Sequence, residues 1–133
     1  ISSKIRENHQ LAIVCSINST HRVRLNTRAT AHGIAENEII LTGFVSEEDL
    51  VGLYNLCKTF IFPSWHEGFG LPALEAMSCG KSVIASNITS LPEVVGHKDA
   101  LFDPHCDKSI SEKLAQVLTD DAFRAALESH GII

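Results

Sequence analysis

The 133-residue sequence lacks the features that would assign it to a membrane, secreted or nucleic-acid-binding class. It contains no run of about 18 apolar residues, so no transmembrane helix is predicted. Residues 1–9 are polar and charged, which does not fit a signal peptide. The formal charge of −5 is not accompanied by a run of Lys or Arg, which argues against binding to nucleic acid.

Cysteine and histidine are present, but not at the spacing of a metal site or a redox site. No CxxC pair occurs, and the dispersed histidines do not have zinc-ligand spacing, so no metal is expected. Most of the cysteines lie in or beside apolar runs, which predicts buried free thiols in a reducing, cytoplasmic compartment. The four cysteines of the chain are Cys15, Cys57, Cys79 and Cys106, and three of them adjoin apolar runs. The densest basic group, Arg22, Arg24 and Arg28, is interpreted as a solvated helix face.

What the sequence does contain is an alternation of apolar runs with segments of helical period. Strands are predicted at residues 11–15, 38–44, 59–62, 82–86 and 100–102. Helices are predicted at residues 21–32, 47–57, 71–79 and 91–95, from a cap at Ser109 or Ser111, and at 121–130. This order predicts one α/β domain over residues 1–133, with a Rossmann-like parallel sheet and helices on both faces.

The loop at residues 64–70 follows the third predicted strand, at the sheet edge where such folds bind ligands. Gly68 and Gly70 allow the backbone to approach a ligand closely, and a helix begins directly afterwards. The start of that helix offers unpaired N–H groups to a diphosphate. Glu67 and Glu75 lie on either side, where carboxylates suit the hydroxyls of a sugar and a ribose. An ordinary turn that caps a helix explains the same residues equally well.

Residues 62–80, FPSWHEGFGLPALEAMSCG, closely resemble the signature of the family 4 glycosyltransferases, with two glutamates separated by seven residues (E-x7-E). The resemblance extends to ILTGFV at residues 40–45, VIAS at 83–86 and LPEVVG at 91–96. It covers most of residues 11–120. It implies the C-terminal, nucleotide-sugar-binding half of a GT-B fold, truncated at its first strand. It also implies transfer of the sugar with retention of anomeric configuration.

The resemblance assigns roles to individual positions of the loop and of one earlier turn. Glu67 matches the catalytic-site glutamate that contacts the hydroxyls of the donor sugar, and Glu75 matches a ribose ligand. Backbone amides are implied to hold the sugar and the distal phosphate, or to meet the base. The first group is Gly68, Phe69, Gly70 and Leu71, and the second is Gly43, Phe44 and Val45. The ligand is a GDP- or UDP-linked sugar, and the family usually needs no metal or other cofactor.

Two parts of the family pattern have no counterpart in these residues. The N-terminal acceptor domain of the family has no counterpart in these residues. In the family, peripheral membrane association arises through that domain. An Arg and Lys that neutralise the diphosphate have no matching pair before Leu11. The chain alone is therefore expected to bind donor weakly and to catalyse nothing. Within the leading interpretation, residues 84–92 resemble mannosyltransferases of surface polysaccharide synthesis.

Other interpretations remain open at this point. One is a non-catalytic nucleotide-binding module, and another is a nucleotide-sugar epimerase or phosphorylase of the same fold. Around the loop, Trp65 is expected to pack beneath it, with a role in shaping the pocket as the alternative, and Phe69 is expected to wedge the loop in place. His66 fits both contact with the donor and an exposed position in the loop. Thr89 follows a predicted strand at the same sheet edge, and both a loop cap and a pocket-lining role fit it.

Overall fold

A computed structural model describes residues 1–131 of the chain. By their internal contacts these residues form two compact units, Ser2–Leu50 and a second unit that begins at Val51. All strand pairs are parallel, and helices flank the strands, which confirms the predicted α/β class. The helices in residues 1–131 are each too short or too polar to form a bilayer-spanning segment.

The first unit contains two strands and two α-helices. These are α1 (Ser3–Arg6), β1 (Leu11–Ile13), α2 (Ser19–Ala31) and, after a 3₁₀ turn at Glu36–Glu38, β2 (Ile39–Leu41). Strands β1 and β2 pair in parallel. Asn18 caps α2, because its side chain accepts a hydrogen bond from the His21 N–H at 2.9 Å. No residue of 2–50 is fully buried, so this unit has little core of its own.

The second unit carries the buried core. Its elements are the larger part of α3 (Glu47–Leu56), then β3 (Phe60–Phe62), α4 (Leu71–Ser78), β4 (Val83–Ser86), α5 (Leu91–Val95), a 3₁₀ turn (Lys98–Ala100), β5 (Leu101–Phe102), α6 (Asp107–Thr119) and α7 (Asp121–Gly131). The sheet order is β3-β4-β5. All four residues of the central strand β4 are buried, as expected for a parallel strand covered on both faces.

The hydrogen-bond ladders differ from the single sheet that the sequence pattern predicts. Strands β1 and β2 form one sheet and β3, β4 and β5 form another. The strands are also shorter than predicted, with two to four residues each. Helix α1 has no counterpart among the predicted elements, because four residues are too few to display a helical period. The single-domain assignment to residues 1–133 stays a prediction, and its last two residues lie outside the described range.

Two local predictions have clear outcomes in the structure. Arg22, Arg24 and Arg28 are exposed on α2, which confirms the solvated face. The sequence predicts the start of helix α6 at a cap formed by Ser109 or Ser111, and this prediction is wrong. Helix α6 begins at Asp107, and the Ser109 hydroxyl accepts a hydrogen bond from the Asp103 N–H at 3.0 Å.

The cysteine thiols are free, as predicted, but their predicted burial is wrong. Cys15 is exposed, and Cys57, Cys79 and Cys106 are half-buried. The half-buried three lie at the ends of helices α3, α4 and α6, where the apolar runs that suggested burial give way to turns.

Candidate functional site

The candidate site lies in the second unit, at the carboxyl ends of β3 and β4. The loop at residues 63–70 follows β3 directly and leads into α4. Residues 87–90 follow β4 and lead into α5. Because β3 and β4 are parallel neighbours, both segments leave the sheet at the same edge. This is the edge at which the sequence predicts a ligand.

The loop presents a row of unpaired backbone donors. Within residues 1–131, the N–H groups of Gly68, Phe69, Gly70 and Leu71 have no hydrogen-bond acceptor. Gly70 is the N-terminal cap of α4, and its carbonyl accepts from the Ala73 N–H at 3.0 Å. Four consecutive free donors at the positive end of a helix form an arrangement suited to an anion. The structure thus brings together the four amides that the sequence assigns to the phosphate and sugar.

Side-chain hydroxyls from the segment after β4 hold this loop. The Thr89 hydroxyl accepts a hydrogen bond from the Glu67 N–H at 3.3 Å. The Ser90 hydroxyl contacts the carbonyl oxygen of Phe69 at 2.9 Å and that of Glu67 at 3.3 Å. Thr89 therefore stabilises the loop through its hydroxyl, which agrees with the loop-cap interpretation. The contribution of Ser90 is missed by the sequence reasoning, although a hydroxyl after a strand at the ligand edge is a usable signal.

A glycine is required at position 70 on two grounds. Its φ of +105° lies in the left-handed region that favours glycine. A Cβ atom at this position would lie 2.7 Å from Cδ2 of Leu91, which is completely buried. The same Cβ position is 3.8 Å from Cγ of Glu67, so the Glu67 side chain lies beside the start of α4.

The two glutamates differ in their surroundings. Glu67 is half-buried, and its carboxylate has no hydrogen-bond or ion-pair partner within residues 1–131. Glu75 is exposed, and one of its oxygens accepts a hydrogen bond from the Tyr54 hydroxyl at 3.0 Å. Tyr54 is only 6% exposed and meets the Phe60 ring edge-on at 5.4 Å. Burial, followed by the hydrogen bond and charge of Glu75, raises the pKa of Tyr54, so the phenol remains a neutral donor.

The expected packing roles of the loop aromatics are wrong. Trp65 is 71% exposed and lies 5.1 Å from the His105 ring, so it does not pack beneath the loop. Phe69 is 55% exposed and cannot act as a wedge. The hydroxyls of Thr89 and Ser90 perform the holding function that the sequence assigns to Phe69. His66 is exposed.

The remaining predicted site residues, Gly43, Phe44 and Val45, belong to the first unit, directly after β2. Gly43 has a φ of +73°, and its carbonyl accepts from the Thr42 hydroxyl at 3.0 Å. The Phe44 side chain is 85% exposed. The chain bends at Phe44 and turns this aromatic side chain outward.

A concavity of about 740 Å³, separate from the loop at residues 63–70, lies wholly within the first unit. It is open, and residues of α1 and of the 3₁₀ turn line it, including Arg6 and Glu38. These two side chains pair with each other at 3.1 Å. Arg6 and Glu38 thus neutralise each other, and none of the predicted site residues lines the concavity.

Comparison with known proteins identifies a family to which the chain is similar. The model of the family described as glycosyl transferases group 1 matches residues 1–132. The chain is 42% identical to a serotype-specific mannosyltransferase of Escherichia coli over 99% of its own length and 16% of that protein. It is 48% identical to O-antigen chain mannosyltransferase B of Escherichia coli, over 75% of the chain and 26% of that protein. The chain thus spans about a quarter or less of the length of each of these two relatives.

A solved structure shows the same fold. Anabaena HepE, in complex with UDP and glucose, has a TM-score of 0.81 and 22% identity, over 92% of this chain and 34% of that one. The parallel strands, the flanking helices and the family match together identify the chain as a member of the glycosyl transferases group 1 family.

Proposed function

We propose that the chain is the donor-binding, C-terminal domain of a retaining family 4 glycosyltransferase. Its ligand is a nucleoside diphosphate sugar, and the acceptor is held by an N-terminal domain. The observation that carries the proposal is the row of four unpaired amides at Gly68–Leu71, flanked by the carboxylates of Glu67 and Glu75. Donors in a row suit phosphate oxygens, whereas acceptor-only carboxylates suit hydroxyl groups.

Each part of the site has one task in this proposal. The amides at the start of α4 bind the distal phosphate and stabilise the negative charge that develops there as the anomeric C–O bond breaks. Glu67, whose carboxylate is free, accepts hydrogen bonds from donor-sugar hydroxyls and orients the anomeric carbon. Glu75, oriented by Tyr54, accepts from the ribose hydroxyls. The backbone at Gly43–Val45 meets the base.

The same proposal extends to the setting of the reaction. Fixed N–H dipoles and basic side chains neutralise the diphosphate, so no metal and no other cofactor is needed. Catalysis takes place in the cytoplasm, and peripheral membrane contact arises through the N-terminal domain. Similarity to two mannosyltransferases supports a mannosyl donor, such as GDP-mannose, and an acceptor in surface polysaccharide synthesis.

Titration tests the proposal directly. Calorimetry or ligand-observed NMR with GDP, UDP, GDP-mannose and UDP-glucose is expected to give saturable binding of one base series. Glu75→Ala is expected to weaken that binding by about 1–3 kcal/mol, because a hydrogen-bonded charged acceptor is removed. Glu93→Ala is the matched control, since Glu93 is also an exposed glutamate in a short helix.

The full-length protein in which this chain occurs decides between the enzyme and a binding module. Sugar transfer to an acceptor supports the enzyme, whereas saturable binding without transfer supports the non-catalytic module. The proposal is wrong if the full-length protein binds none of the four ligands at millimolar concentration. Equal binding by the wild type and Glu75→Ala would remove the assigned role of that residue.

A further inference from the structure

We infer that Ser90 is a positioning residue, whose hydroxyl turns the amides of Gly68 and Gly70 toward the distal phosphate of the donor. The inference rests on the proposed function. It assigns the residue that orients the phosphate cradle, which is the row of unpaired amides at Gly68–Leu71. The starting observation is that one hydroxyl contacts two alternate carbonyls of the loop, those of Glu67 and Phe69. Its single proton is shared between them, with the shorter contact of 2.9 Å to Phe69.

Peptide geometry transmits this contact to the amides. No cis peptide bond occurs in residues 1–131, so each C=O is antiparallel to the N–H of the next residue. When Ser90 holds the Glu67 carbonyl, the N–H of Gly68 must point away from Ser90. When it holds the Phe69 carbonyl, the N–H of Gly70 must point the same way. One side chain thereby fixes two peptide planes and directs two of the four free donors outward.

The hydroxyl of Ser90 is not used for its usual purpose. Ser90 is the N-terminal cap of α5, where a serine side chain normally accepts from the backbone of its own helix. It makes no such capping bond here. Helix α5 is instead anchored by its buried residues Leu91 and Val95. The serine hydroxyl is therefore committed to the loop, and its removal leaves the buried contacts of α5 in place.

The neighbouring residue shows the same commitment. Thr89 has a φ of +47°, a left-handed conformation that β-branched residues rarely adopt. Its hydroxyl pairs the N–H of Glu67 and so withdraws that amide from the cradle. Backbone strain of this kind persists only where the surroundings impose it, and it is frequent at binding sites. Thr89 therefore places the first free donor of the row at Gly68.

A comparison of diphosphate with monophosphate separates positioning from general loop stability. In the full-length protein, Kd is measured for GDP and GMP, and for UDP and UMP. Ser90→Ala is expected to raise Kd for the diphosphate of the preferred base about three- to tenfold, as for one lost hydrogen bond. The Kd for its monophosphate is expected to change less than about twofold, because the distal phosphate alone meets these amides.

Two further variants complete the design. Ser90→Thr keeps the hydroxyl and is expected to restore diphosphate binding. Ser111→Ala removes another hydroxyl that donates to a backbone carbonyl, at 3.0 Å from Lys108, outside the site, and is expected to change neither Kd.

The outcomes separate the inference from the proposed function. If Ser90→Ala changes neither Kd, or raises both equally, the inference is overturned, while the diphosphate preference of the wild type still supports the proposed function. If the wild type does not distinguish diphosphate from monophosphate, the phosphate cradle fails and the inference fails with it.

Discussion

Replacement of Gly70 by alanine places a methyl group where the loop meets the core, and its cost can be worked out from the structure. The φ of +105° costs an L-residue about 1–2 kcal/mol. The new Cβ also lies 2.7 Å from Leu91 Cδ2, and overpacking against a completely buried side chain costs about 1–3 kcal/mol. The lower entropy of unfolded alanine offsets roughly 0.5–1 kcal/mol. A net loss of about 1–4.5 kcal/mol in the free energy of unfolding is expected.

Thermal and urea unfolding measure this loss. For 133 residues, an unfolding entropy of about 2.1 cal/mol/K per residue converts the loss into a fall in Tm of about 4–16 °C. Gly33→Ala is the matched control, because Gly33 also has a positive φ, +67°, but has nothing within 4 Å of its Cβ position. The control is expected to lose only the backbone term less the same unfolded-state offset, about 0–1.5 kcal/mol.

A double-mutant cycle isolates the contact itself. Leu91→Ala removes Cδ2, so Gly70→Ala is expected to cost about 1–3 kcal/mol less in that background than in the wild type. If Gly70→Ala costs no more than Gly33→Ala, or if the two substitutions are additive, the steric part of the reasoning is refuted.

Two other predictions concern hydrogen bonds to carboxylates. Tyr54→Phe is expected to weaken nucleotide binding by about 0.5–1.5 kcal/mol, because Glu75 loses its orienting donor; calorimetry against wild type checks this, and unchanged affinity contradicts it. The bond from Arg124 lowers the pKa of the Asp121 carboxyl below 3.8, so its stabilisation is present above that pH and is lost as pH falls further. Urea unfolding at pH 7 and pH 3 measures the loss of unfolding free energy between the two pH values. This loss is expected to be smaller in Asp121→Asn than in the wild type, and unchanged in the control Asp99→Asn.

Local signals made the centre of the site predictable from sequence. The glycines at positions 68 and 70, followed by Pro72 near the start of a helix, specify a turn and a helix start that involve only adjacent residues. Ser46, followed by acidic residues, likewise predicts the start of α3, and its hydroxyl accepts from the Asp49 N–H at 3.1 Å. The α/β class follows from the alternation of apolar runs with helical periods.

Contacts between distant positions could not be predicted in the same way. The bond from Ser90 to Phe69 joins residues 21 positions apart, and no pattern within either segment specifies it. The pairing of Tyr54 with Glu75 also spans 21 positions. The division of the strands into two sheets depends on which edges meet, and the apolar runs alone carry no information about that.

The exposure of Phe69 and Leu71 has a consequence for engineering this loop. Both residues offer their N–H groups to the cradle, while their side chains are 55% and 59% exposed. Donors supplied by the backbone are the same whichever side chain the residue carries, with the exception of proline, which has no N–H. If the proposed donor site is correct, substitutions other than proline at these two positions vary the surface around the sugar without removing a backbone donor to the phosphate. A library at positions 69 and 71, with glycines 68 and 70 kept, would separate selectivity for the sugar from affinity for the nucleotide.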